Sequence, residues 1–372
     1  MMVHKDILQI CSYYINDKLY TSFFKSLERL QITSIAYVFA NVNAVSKRII
    51  ENKVVVSYCY NTVDRCFFHI KHKKALVEAE KRFEFSNFYL MHAHSLFSNG
   101  YIAYKLNQKY DIPYIVTVRY PDVLTFFRFM VHLRGLGIKI LKNAKGIIFL
   151  SESYKEKTMR YIPAVLKKEI ISKTAVIPNG IDDFWIDNSP TMPKEVHEEL
   201  KLLFVGRVNK NKNPEALIEI CKLLISKGKQ CTLTIVGNIE DRSYSKLFKK
   251  YSFIHYYSYC DNNQLLRYYR ASDIFVMLSH KESFGIVYAE AMSQGLPVIY
   301  TKDQGFYSQF DEGIVGYGVN AGDYRQAVEC IERIIQDYSN FSMRCLKYSK
   351  QFSWDTVAKK VAQMYEDAAQ EV

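Results

Sequence analysis

Short runs of β-branched and aromatic residues alternate with amphipathic, helix-like stretches through both halves of the chain. The predicted strands of the first half are Ile7–Ser12, Ile32–Ala40, Val54–Tyr60, Tyr89–His94, Tyr114–Arg119 and Gly146–Ser151. Those of the second half are Leu202–Val205, Thr232–Val236, Ile254–Tyr257, Ile274–Ser279 and Val298–Tyr300. Such alternation is typical of parallel βαβ units with helices on both faces of each sheet. It predicts an α/β protein with two doubly wound domains in tandem.

The boundary between the two predicted domains is placed at residues 184–200. This segment is acidic, contains Pro190 and Pro193 and shows no apolar periodicity, so it is interpreted as a linker. A length of 372 residues fits two domains at about 150 residues or more each. Because ligands of doubly wound sheets bind beyond the carboxyl ends of the strands, we expect the ligand site in a cleft between the two domains.

Composition excludes disordered, collagen-like and membrane-spanning proteins. The chain is 49% hydrophobic and 24% charged, which is ordinary for a folded globular protein. It contains no uninterrupted apolar run of about 18 residues, and its first residues do not combine a basic with an apolar region as a signal peptide does. The eight cysteines form no Cys-x-x-Cys and no Cys/His cluster at zinc spacing. We therefore expect a cytoplasmic protein with reduced thiols and no structural zinc.

Positive charge is concentrated in the first half of the chain. Residues 1–190 contain 27 Lys and Arg against 16 Asp and Glu, whereas residues 191–372 contain 23 against 22. The formal net charge of +12 therefore comes almost wholly from the first half. This asymmetry predicts that the first domain contacts something anionic, such as nucleic acid, a lipid surface or an acidic substrate. Nucleic acid is the least favoured of the three because no nucleic-acid-binding motif is recognisable.

The segment 279–292 is the most informative, because it follows an apolar strand and begins a helix with a glycine at the turn. Unpaired backbone N–H groups are expected at Phe284, Gly285 and Ile286. Together with the helix dipole they predict an anion site. Glu282 on the loop and Glu290, about two helical turns later, suit hydroxyl-rich groups on either side of that anion. The alternative is that both glutamates are solvated surface charges.

The segment 202–214 is the second candidate for ligand chemistry. Its strand ends at Gly206, and Arg207 and Lys212 lie in the loop before the next helix. Arginine can bridge phosphate oxygens with two parallel hydrogen bonds, and lysine adds a compact positive charge. The alternative is a solvated basic turn. The loop with Arg207 and Lys212 follows a strand's carboxyl end in the same domain as segment 279–292, and this position favours phosphate binding.

These segments resemble the donor domain of glycosyltransferase family 4, retaining nucleotide-sugar transferases with the GT-B fold, and the resemblance covers nearly the whole chain. The motifs that carry it are Glu282/Glu290, Arg207/Lys212, Val176–Asp182, His92–Ser95 and Pro113–Arg119. The resemblance implies two Rossmann-like domains that face each other across a cleft. Residues 1–183 would bind the acceptor, residues 201–352 would bind the donor, and residues 353–372 would cross back onto the first domain.

The resemblance also implies roles for single residues. The implied catalytic residues are Glu282, Arg207, Lys212 and Arg119. The implied donor-binding residues are Gly206, Ser283, Phe284, Gly285, Ile286, Glu290, Tyr259 and Cys260. Arg207 and Lys212 would hold the donor diphosphate, Glu282 would bind sugar hydroxyls and Glu290 the ribose, and Tyr259–Cys260 would lie near the base. His94 and Asn99 are acceptor-side candidates, and the alternative for His94 is a buried, hydrogen-bonded histidine.

The sequence also departs from the family pattern. Arg119 stands where many relatives have a histidine, and a guanidinium cannot act as a general base near neutral pH, so we expect an electrostatic or positioning role. The loop 13–18 contains no glycine, although a glycine-rich loop is common there. No Asp-x-Asp motif occurs. We therefore expect neither a metal nor a cofactor, with cationic side chains and a helix N-terminus replacing a divalent ion.

Residues 123–142 are predicted to form a helix that is interrupted near Gly135 and Gly137. The segment mixes large apolar side chains with four basic residues, a composition typical of elements that contact anionic lipid. The alternative is an ordinary amphipathic helix that buries one face. The lysine-rich tract His69–Arg82 is interpreted as a solvated loop and helix face.

The resemblance implies a retaining glycosyltransferase that moves a hexose-type sugar from a nucleotide-diphosphate sugar, such as a UDP-sugar, to a saccharide or lipid-linked saccharide acceptor. The implied setting is bacterial cell-surface polysaccharide assembly. Expected partners are the donor, the acceptor and an anionic membrane contacted peripherally at its inner face, but no nucleic acid. The alternatives are a GT-B-fold nucleotide-sugar epimerase or phosphorylase, and a catalytically impaired sugar-nucleotide-binding partner protein.

Overall fold

The computed structural model describes residues 6–16, 18–44 and 53–370. The polypeptide divides into two units, of which the first comprises Met1–Gly180 and Trp354–Val372 and the second comprises Ile181–Ser353. Each unit contains a parallel sheet with helices packed on it, as the alternation of strand and helix patterns predicts. Residues 184–200, the predicted linker, lie within the second unit.

The sheet of the first unit reverses its strand order at β1. Its strands are β1 (Asp6–Ile10), β2 (Ser34–Asn41), β3 (Val54–Tyr60), β4 (Phe88–Ala93), β5 (Tyr114–Val118), β6 (Gly146–Phe149) and β7 (Thr174–Val176). They pair in parallel in the order β3-β2-β1-β4-β5-β6-β7. Ile10 is opposite Tyr37 of β2 on one side and Ala93 of β4 on the other. The predicted strands are confirmed, whereas β7 was missed because three residues are too short to show a period.

Helices cover both faces of this sheet. They are α1 (Lys18–Arg29), α2 (Phe68–Arg82), α3 (Ser98–Tyr110), α4 (Arg134–Asn143), α5 (Glu152–Met159), α6 (Ala164–Ser172) and, at the end of the chain, α14 (Trp354–Gln370). Leu8 and Ile10 of β1 enter the core beneath α2 and α3, and Ile7 enters the core beneath α1 and α14. Burial on both faces explains why the strands are nearly continuous apolar runs.

Helix α14 packs in the first unit through two large side chains. The ring of Trp354, 4% exposed, contacts Gly180 and lies with its centre 5.7 Å from that of the Phe23 ring. The hydroxyl oxygen of Tyr365 accepts a hydrogen bond from Nε2 of Gln9 at 3.1 Å. A buried tryptophan and a hydrogen-bonded, buried tyrosine fix the helix on the sheet.

The helix predicted at residues 123–142, with an interruption near Gly135 and Gly137, is wrong. The structure has a π-helical turn at Asp122–Phe127, a 3-10 turn at Val131–Leu133 and then α4. The break lies at Met130, whose φ and ψ are −94° and 64°. Gly137 lies inside α4, where a Cβ atom would be 2.6 Å from the Phe97 ring. This glycine therefore permits close packing and does not interrupt the helix.

The sheet of the second unit reverses its order at β8. Its strands are β8 (Leu200–Val205), β9 (Cys231–Val236), β10 (Ile254–Tyr257), β11 (Ile274–Met277), β12 (Val298–Thr301) and β13 (Gly316–Val319), in the order β10-β9-β8-β11-β12-β13. The helices are α7 (Asp183–Asp187), α8 (Pro214–Ser226), α9 (Ser243–Phe248), α10 (Asn262–Ala271), α11 (Ile286–Ser293), α12 (Tyr324–Gln336) and α13 (Tyr338–Ser349). Strand β13 was not predicted because two of its four residues are glycines. Across the described residues of both units, no helix is long and apolar enough to cross a membrane.

Burial and polar contacts hold residues 184–200 against the rest of the second unit. Trp185 is 1% exposed, and the ammonium group of Lys194 donates to main-chain carbonyls at the end of α10. Nδ1 of His197 lies 2.6 Å from Oδ1 of the buried Asp273. Because these partners are distant in sequence, the contacts could not be recognised from the segment itself, whose composition indicates a linker.

Gly137→Ala should destabilise the first unit by about 1–3 kcal/mol, because the new methyl group overlaps the Phe97 ring. Gly135→Ala is the matched control, since a Cβ atom there has no neighbour within 4 Å. It should stabilise the unit by about 0.5–1 kcal/mol because alanine is the better helix former. Urea unfolding followed by circular dichroism measures both, and equal effects would contradict the packing role of Gly137.

Candidate active site

Two loops of the second unit meet where the strand order of its sheet reverses. Strands β8 and β11 are neighbours there, and ligands of doubly wound sheets bind at such a reversal. The N–H of His280 donates to the carbonyl of Asn211 at 2.8 Å, and the side-chain amide of Asn211 donates to the carbonyl of Lys281 at 2.9 Å. The structure therefore joins segments 202–214 and 279–292, the two that the sequence singled out.

An ion pair between Lys212 and Glu282 connects the two loops. Nζ of Lys212 lies 2.5 Å from Oε2 of Glu282, and the side chains are only 17% and 9% exposed. Oδ1 of Asn209 accepts the N–H of Lys212 at 3.0 Å and shapes the turn. Oε1 of Glu282 accepts the N–H of Ser283 at 3.1 Å. Because water is largely excluded, the two charges hold each other more firmly than an exposed pair would.

The loop after β11 leads directly into helix α11. Gly285 is the N-cap residue with φ of +79°, and a Cβ atom there would lie 2.6 Å from the Tyr288 ring, so glycine is required. Phe284, 1% exposed, anchors the loop in the core, while Ser283 and Ile286 are exposed. The first N–H groups of the helix have no intrahelical partners and lie at the positive end of its dipole. This turn is therefore suited to an anion.

Glu290 lies one turn further along α11 and is half-buried. The hydroxyl of Tyr269 donates to its Oε2 atom at 3.1 Å. Burial raises the pKa of Glu290 to about 7, with a smaller upward contribution from Asp182 that hydrogen bonds from Tyr269 and Trp185 oppose. The protonated form of this carboxyl is therefore favoured more than it is in water.

Arg207 has a different partner from Lys212. Its side chain is 72% exposed, and Nη1 lies 3.1 Å from Oε1 of Glu240. Nδ2 of Asn209 donates to Oε2 of Glu240 at 2.6 Å, and these two contacts lower the pKa of that carboxyl. Sequence reasoning missed Glu240. The available signal was its position shortly after β9, because β9 neighbours β8 and ends at the same edge of the sheet.

The remaining donor-side candidates also follow strands of this sheet. Gly206 follows β8, and its N–H donates to the carbonyl of Val236 at 3.0 Å. Tyr259, 75% exposed, and the half-buried Cys260 follow β10. The N–H of Tyr259 lies 3.4 Å from Oδ1 of Asn238, and burial raises the pKa of the Cys260 thiol. The roles of these residues stay predictions.

In the first unit, Arg119 follows β5 and is held by several neighbours. Its Nε atom donates to the carbonyl of His94 at 3.2 Å, and Nη1 donates to Oδ1 of Asn179 at 3.0 Å. The guanidinium carbon lies 5.4 Å from the centre of the Tyr20 ring. The main-chain N–H donates to Oδ2 of Asp122 at 2.8 Å. These contacts fix the guanidinium at the carboxyl edge of the sheet.

His94, an acceptor-side candidate, lies in the interior of the first unit. It is 2% exposed, and Nε2 lies 2.8 Å from Oε1 of Gln9. Its neighbour His92 lies 2.7 Å from the hydroxyl oxygen of Tyr365 and 2.8 Å from that of Thr117. Burial lowers the pKa of His94 well below its ordinary range and that of His92 to about 3. This is the placement of a buried, hydrogen-bonded, neutral histidine, the alternative interpretation of the sequence.

Asn99, the other acceptor-side candidate, is also interior. It is fully buried, and its Oδ1 atom accepts the N–H of Ser12 at 3.2 Å. Sequence reasoning missed Asp122, which accepts the N–H groups of Leu96 at 2.9 Å and Phe97 at 3.1 Å. Burial raises the pKa of Asp122 to about 6. Both residues organise loops at the carboxyl edge, where no periodicity reveals a contact.

Among residues 6–16, 18–44 and 53–370, no group of three or more His, Cys, Asp or Glu side chains could hold a metal ion. Independence from metal ions stays a prediction. Part of the glycine-free loop 13–18 cannot be placed either, because Asp17 lies outside the described residues.

Two family models match this chain. The model described as Glycosyltransferase Family 4 matches residues 37–183, and the model described as Glycosyl transferases group 1 matches residues 187–352. The chain belongs to glycosyltransferase family 4. The family resemblance seen in the sequence is therefore confirmed over most of the chain's length.

Individual relatives in this family match parts of the chain. CapM of Staphylococcus aureus, a capsular polysaccharide biosynthesis glycosyltransferase, is 31% identical over 212 residues, which are 53% of each protein. An uncharacterised 41.2 kDa protein in the cps region of Klebsiella pneumoniae is 25% identical over 299 residues, 77% of this chain and 80% of that protein. D-inositol 3-phosphate glycosyltransferase 2 of Catenulispora acidiphila is 27% identical over 180 residues, 44% of this chain and 42% of that protein. The chain thus spans about half the length of two of these three.

Solved structures of glycosyltransferases share the fold over almost the whole chain. The lipopolysaccharide outer core galactosyltransferase WaaB gives a TM-score of 0.76 at 14% identity, covering 97% of this chain and 99% of that one. Sucrose-phosphate synthase of Thermosynechococcus elongatus gives a TM-score of 0.74 at 18% identity, covering 99% of this chain and 100% of that one. HepE of Anabaena, solved with UDP-glucose, gives a TM-score of 0.67 at 16% identity, covering 98% of this chain and 100% of that one. These likenesses show the fold, and the predicted GT-B fold is confirmed.

If Glu290 binds the donor ribose, as the family resemblance implies, Glu290→Gln should flatten the pH dependence of nucleotide-sugar binding. A carboxylate accepts hydrogen bonds from ribose hydroxyls better than a protonated carboxyl does, so the affinity of the unchanged protein should rise as pH increases through the pKa of about 7. The glutamine side chain does not titrate in this range. Calorimetric titrations across this range measure the effect, and equal slopes in both proteins would contradict a donor contact by Glu290.

The same substitution should change the pH dependence of stability. Because folding raises this pKa from 4.5 to about 7, the stability linked to the protonated carboxyl is fully present below 4.5 and is lost as pH rises through about 7. The variant should therefore gain stability relative to the unchanged protein as pH rises over this range. Thermal unfolding midpoints of both proteins at several pH values measure this difference in stability. Glu240→Gln is the control without this trend, because the pKa of Glu240 is lowered and the group stays charged throughout.

Proposed function

We propose that the protein is a retaining glycosyltransferase that transfers a hexose from a nucleotide-diphosphate sugar of the UDP-sugar type to a saccharide or lipid-linked saccharide acceptor. The largely buried ion pair of Lys212 and Glu282 carries this proposal. Lys212 in the loop after β8 and Glu282 in the loop that leads into α11 lie 2.5 Å apart. Such a pair suits a donor with an anionic diphosphate at one end and sugar hydroxyls at the other.

The names of similar proteins support a setting in cell-surface polysaccharide assembly. CapM is a capsular polysaccharide biosynthesis glycosyltransferase, and WaaB acts on the lipopolysaccharide outer core. The HepE structure contains UDP-glucose, which supports a UDP-sugar donor. We propose a bacterial, cytoplasmic protein that reaches a lipid-linked acceptor by peripheral contact with the inner face of the membrane.

In the proposed complex the donor diphosphate binds between the ammonium group of Lys212 and the first turn of α11. The sugar hydroxyls donate hydrogen bonds to Glu282. Before the donor arrives the two side chains neutralise each other, so neither charge is buried alone, which would be costly. Arg207 is mostly exposed, so it can exchange Glu240 for a phosphate oxygen without losing buried contacts.

In the proposed reaction, the bond between the anomeric carbon and the diphosphate oxygen breaks, and the acceptor oxygen bonds to the same face of that carbon. The diphosphate leaves with the bonding electron pair, and the acceptor proton passes to a phosphate oxygen. Lys212 and the helix dipole stabilise the negative charge that grows on the leaving group. The proposed site needs no metal ion because these groups already meet that charge.

A catalytically impaired sugar-nucleotide-binding protein is a second candidate, favoured by one observation. Arg119 stands where the family resemblance implies a histidine, and its guanidinium is held by the carbonyl of His94 and by Asn179. It cannot act as a general base near neutral pH. An epimerase is distinguished from both by converting the nucleotide sugar without an acceptor.

Incubation of the full chain with a panel of nucleotide sugars and saccharide acceptors tests the proposal. One donor should raise the unfolding midpoint, release its nucleoside diphosphate only when acceptor is present and give a product with retained anomeric configuration by NMR. Turnover should survive a chelator. Inversion, or a converted nucleotide sugar without acceptor, would refute a retaining transferase, and donor binding without turnover would identify the impaired protein.

Glu282→Gln should lower kcat by about 100-fold. The neutral amide forms no ion pair with Lys212, and it accepts hydrogen bonds from sugar hydroxyls more weakly than a carboxylate does. The matched control is Lys281→Gln, at the neighbouring exposed residue, which should change kcat by less than about twofold. Initial rates at saturating donor measure both, with circular dichroism to verify folding. A Glu282→Gln rate close to that of the unchanged protein would remove Glu282 from the site.

A further inference from the structure

A third loop of the second unit contacts the main chain of Glu282. We call it the Gln304 loop and define it as residues 302–306, which follow strand β12 directly. Strand β12 pairs in parallel with β11, so the two strands end at the same edge of the sheet. The Gln304 loop therefore lies beside the loop that carries Glu282. Sequence reasoning did not single it out.

Both main-chain polar groups of Glu282 are bonded to the Gln304 loop. The N–H of Glu282 donates to Oε1 of Gln304 at 3.1 Å, and the N–H of Gly305 donates to the carbonyl of Glu282 at 3.0 Å. Hydrogen bonds on both sides of one Cα atom fix its place and limit the directions that its side chain can take. Glu282 is thus held at its main chain by the Gln304 loop and at its carboxylate by Lys212.

Close packing accompanies these hydrogen bonds and explains the glycine at position 305. A Cβ atom on Gly305 would lie 2.1 Å from the carbonyl oxygen of Ser283 and 2.6 Å from the main-chain nitrogen of Phe284. The next residue, Phe306, is 1% exposed, and its ring centre lies 4.7 Å from that of Tyr288 in α11. A loop that is anchored in the core in this way gives its neighbour a rigid support.

We propose that Gln304 is a positioning residue, which holds Glu282 at the distance and angle that the hydroxyls of the donor sugar require. This inference rests on the proposed function, in which Glu282 accepts hydrogen bonds from those hydroxyls. A misplacement of about 1 Å near a reacting centre can cost about 100-fold in rate. Loss of the Gln304 contact should therefore impair recognition of the sugar, whereas the diphosphate, which Lys212 and α11 bind in the proposed complex, should be little affected.

Gln304→Met tests the proposal, because methionine is similar in size to glutamine and offers only a weak acceptor to the N–H of Glu282. Calorimetric titrations compare UDP with UDP-glucose, or with UDP-galactose if the unchanged protein binds that sugar nucleotide more tightly than UDP-glucose. The affinity for the UDP-hexose should fall about fivefold, and the affinity for UDP should change by less than about twofold. Gln336→Met, the same substitution at an exposed residue that ends α12, is the matched control and should change neither affinity.

A double-variant cycle distinguishes positioning of Glu282 from a general structural role. Alone, Gln304→Met should lower kcat by about tenfold. Added to Glu282→Gln, it should lower kcat by less than about twofold further, because the residue through which Gln304 acts has already lost its charge. Initial rates at saturating donor measure the cycle, and circular dichroism verifies that each variant is folded.

Hydrogen exchange followed by mass spectrometry tests the contact itself without any ligand. The amide of Glu282 should exchange about tenfold faster in Gln304→Met than in the unchanged protein, because its acceptor has been removed. In Gln336→Met the exchange of this amide should be unchanged.

Equal exchange of the Glu282 amide in Gln304→Met and the unchanged protein would overturn the proposal. Equal losses of affinity for UDP and the UDP-hexose, or losses of kcat that multiply in the double variant, would overturn it in favour of a purely structural role. In each of these results the unchanged protein is still an active transferase. If the unchanged protein neither binds a UDP-hexose nor transfers a sugar, the proposed function fails and the positioning role fails with it.

Discussion

The carboxyl ends of parallel strands meet at one edge of a sheet, and the rest of this structure depends on that constraint. In the second unit it brings together the loops after β8 and β11, so that Lys212 and Glu282, 70 residues apart, form an ion pair. In the first unit the same constraint places Arg119 against the carbonyl of His94, at the ends of β5 and β4. Each unit thus places polar side chains at the edge of the sheet where doubly wound sheets bind ligands.

The two edges hold their polar groups in different ways. In the second unit the ion pair is nearly buried, and a ligand that is both anionic and rich in hydroxyls can satisfy both charges at once. In the first unit hydrogen bonds run from Tyr365 of α14 through Gln9 and His94 to Arg119. The ring of His94 contacts Gln9, whereas its main-chain carbonyl accepts from Arg119, so buried groups of the sheet hold the guanidinium.

Much of the fold was predictable because each strand is a short β-branched run beside a helical pattern, and β10 was placed at Ile254–Tyr257 to the residue. Strands β7 and β13 were missed because one is three residues long and the other is half glycine. The helix at 123–142 was wrong because sequence alone does not distinguish a breaking glycine from one that packs against Phe97. The approach of Lys212 and Glu282 was predictable from their places after strands, and Glu240, shortly after β9, offered the same signal. Asp122 acts through loop contacts that follow no period.

Calorimetric titration of UDP into the full chain tests the central claim, that Lys212 beside Glu282 forms the donor diphosphate site. Lys212→Gln should weaken UDP binding by about tenfold or more, because it removes a charge-assisted phosphate contact from a site with little water. Lys210→Gln removes the same charge from an exposed position in the same turn and should change the affinity by less than about twofold. Equal UDP affinities of Lys212→Gln and the unchanged protein would contradict the account.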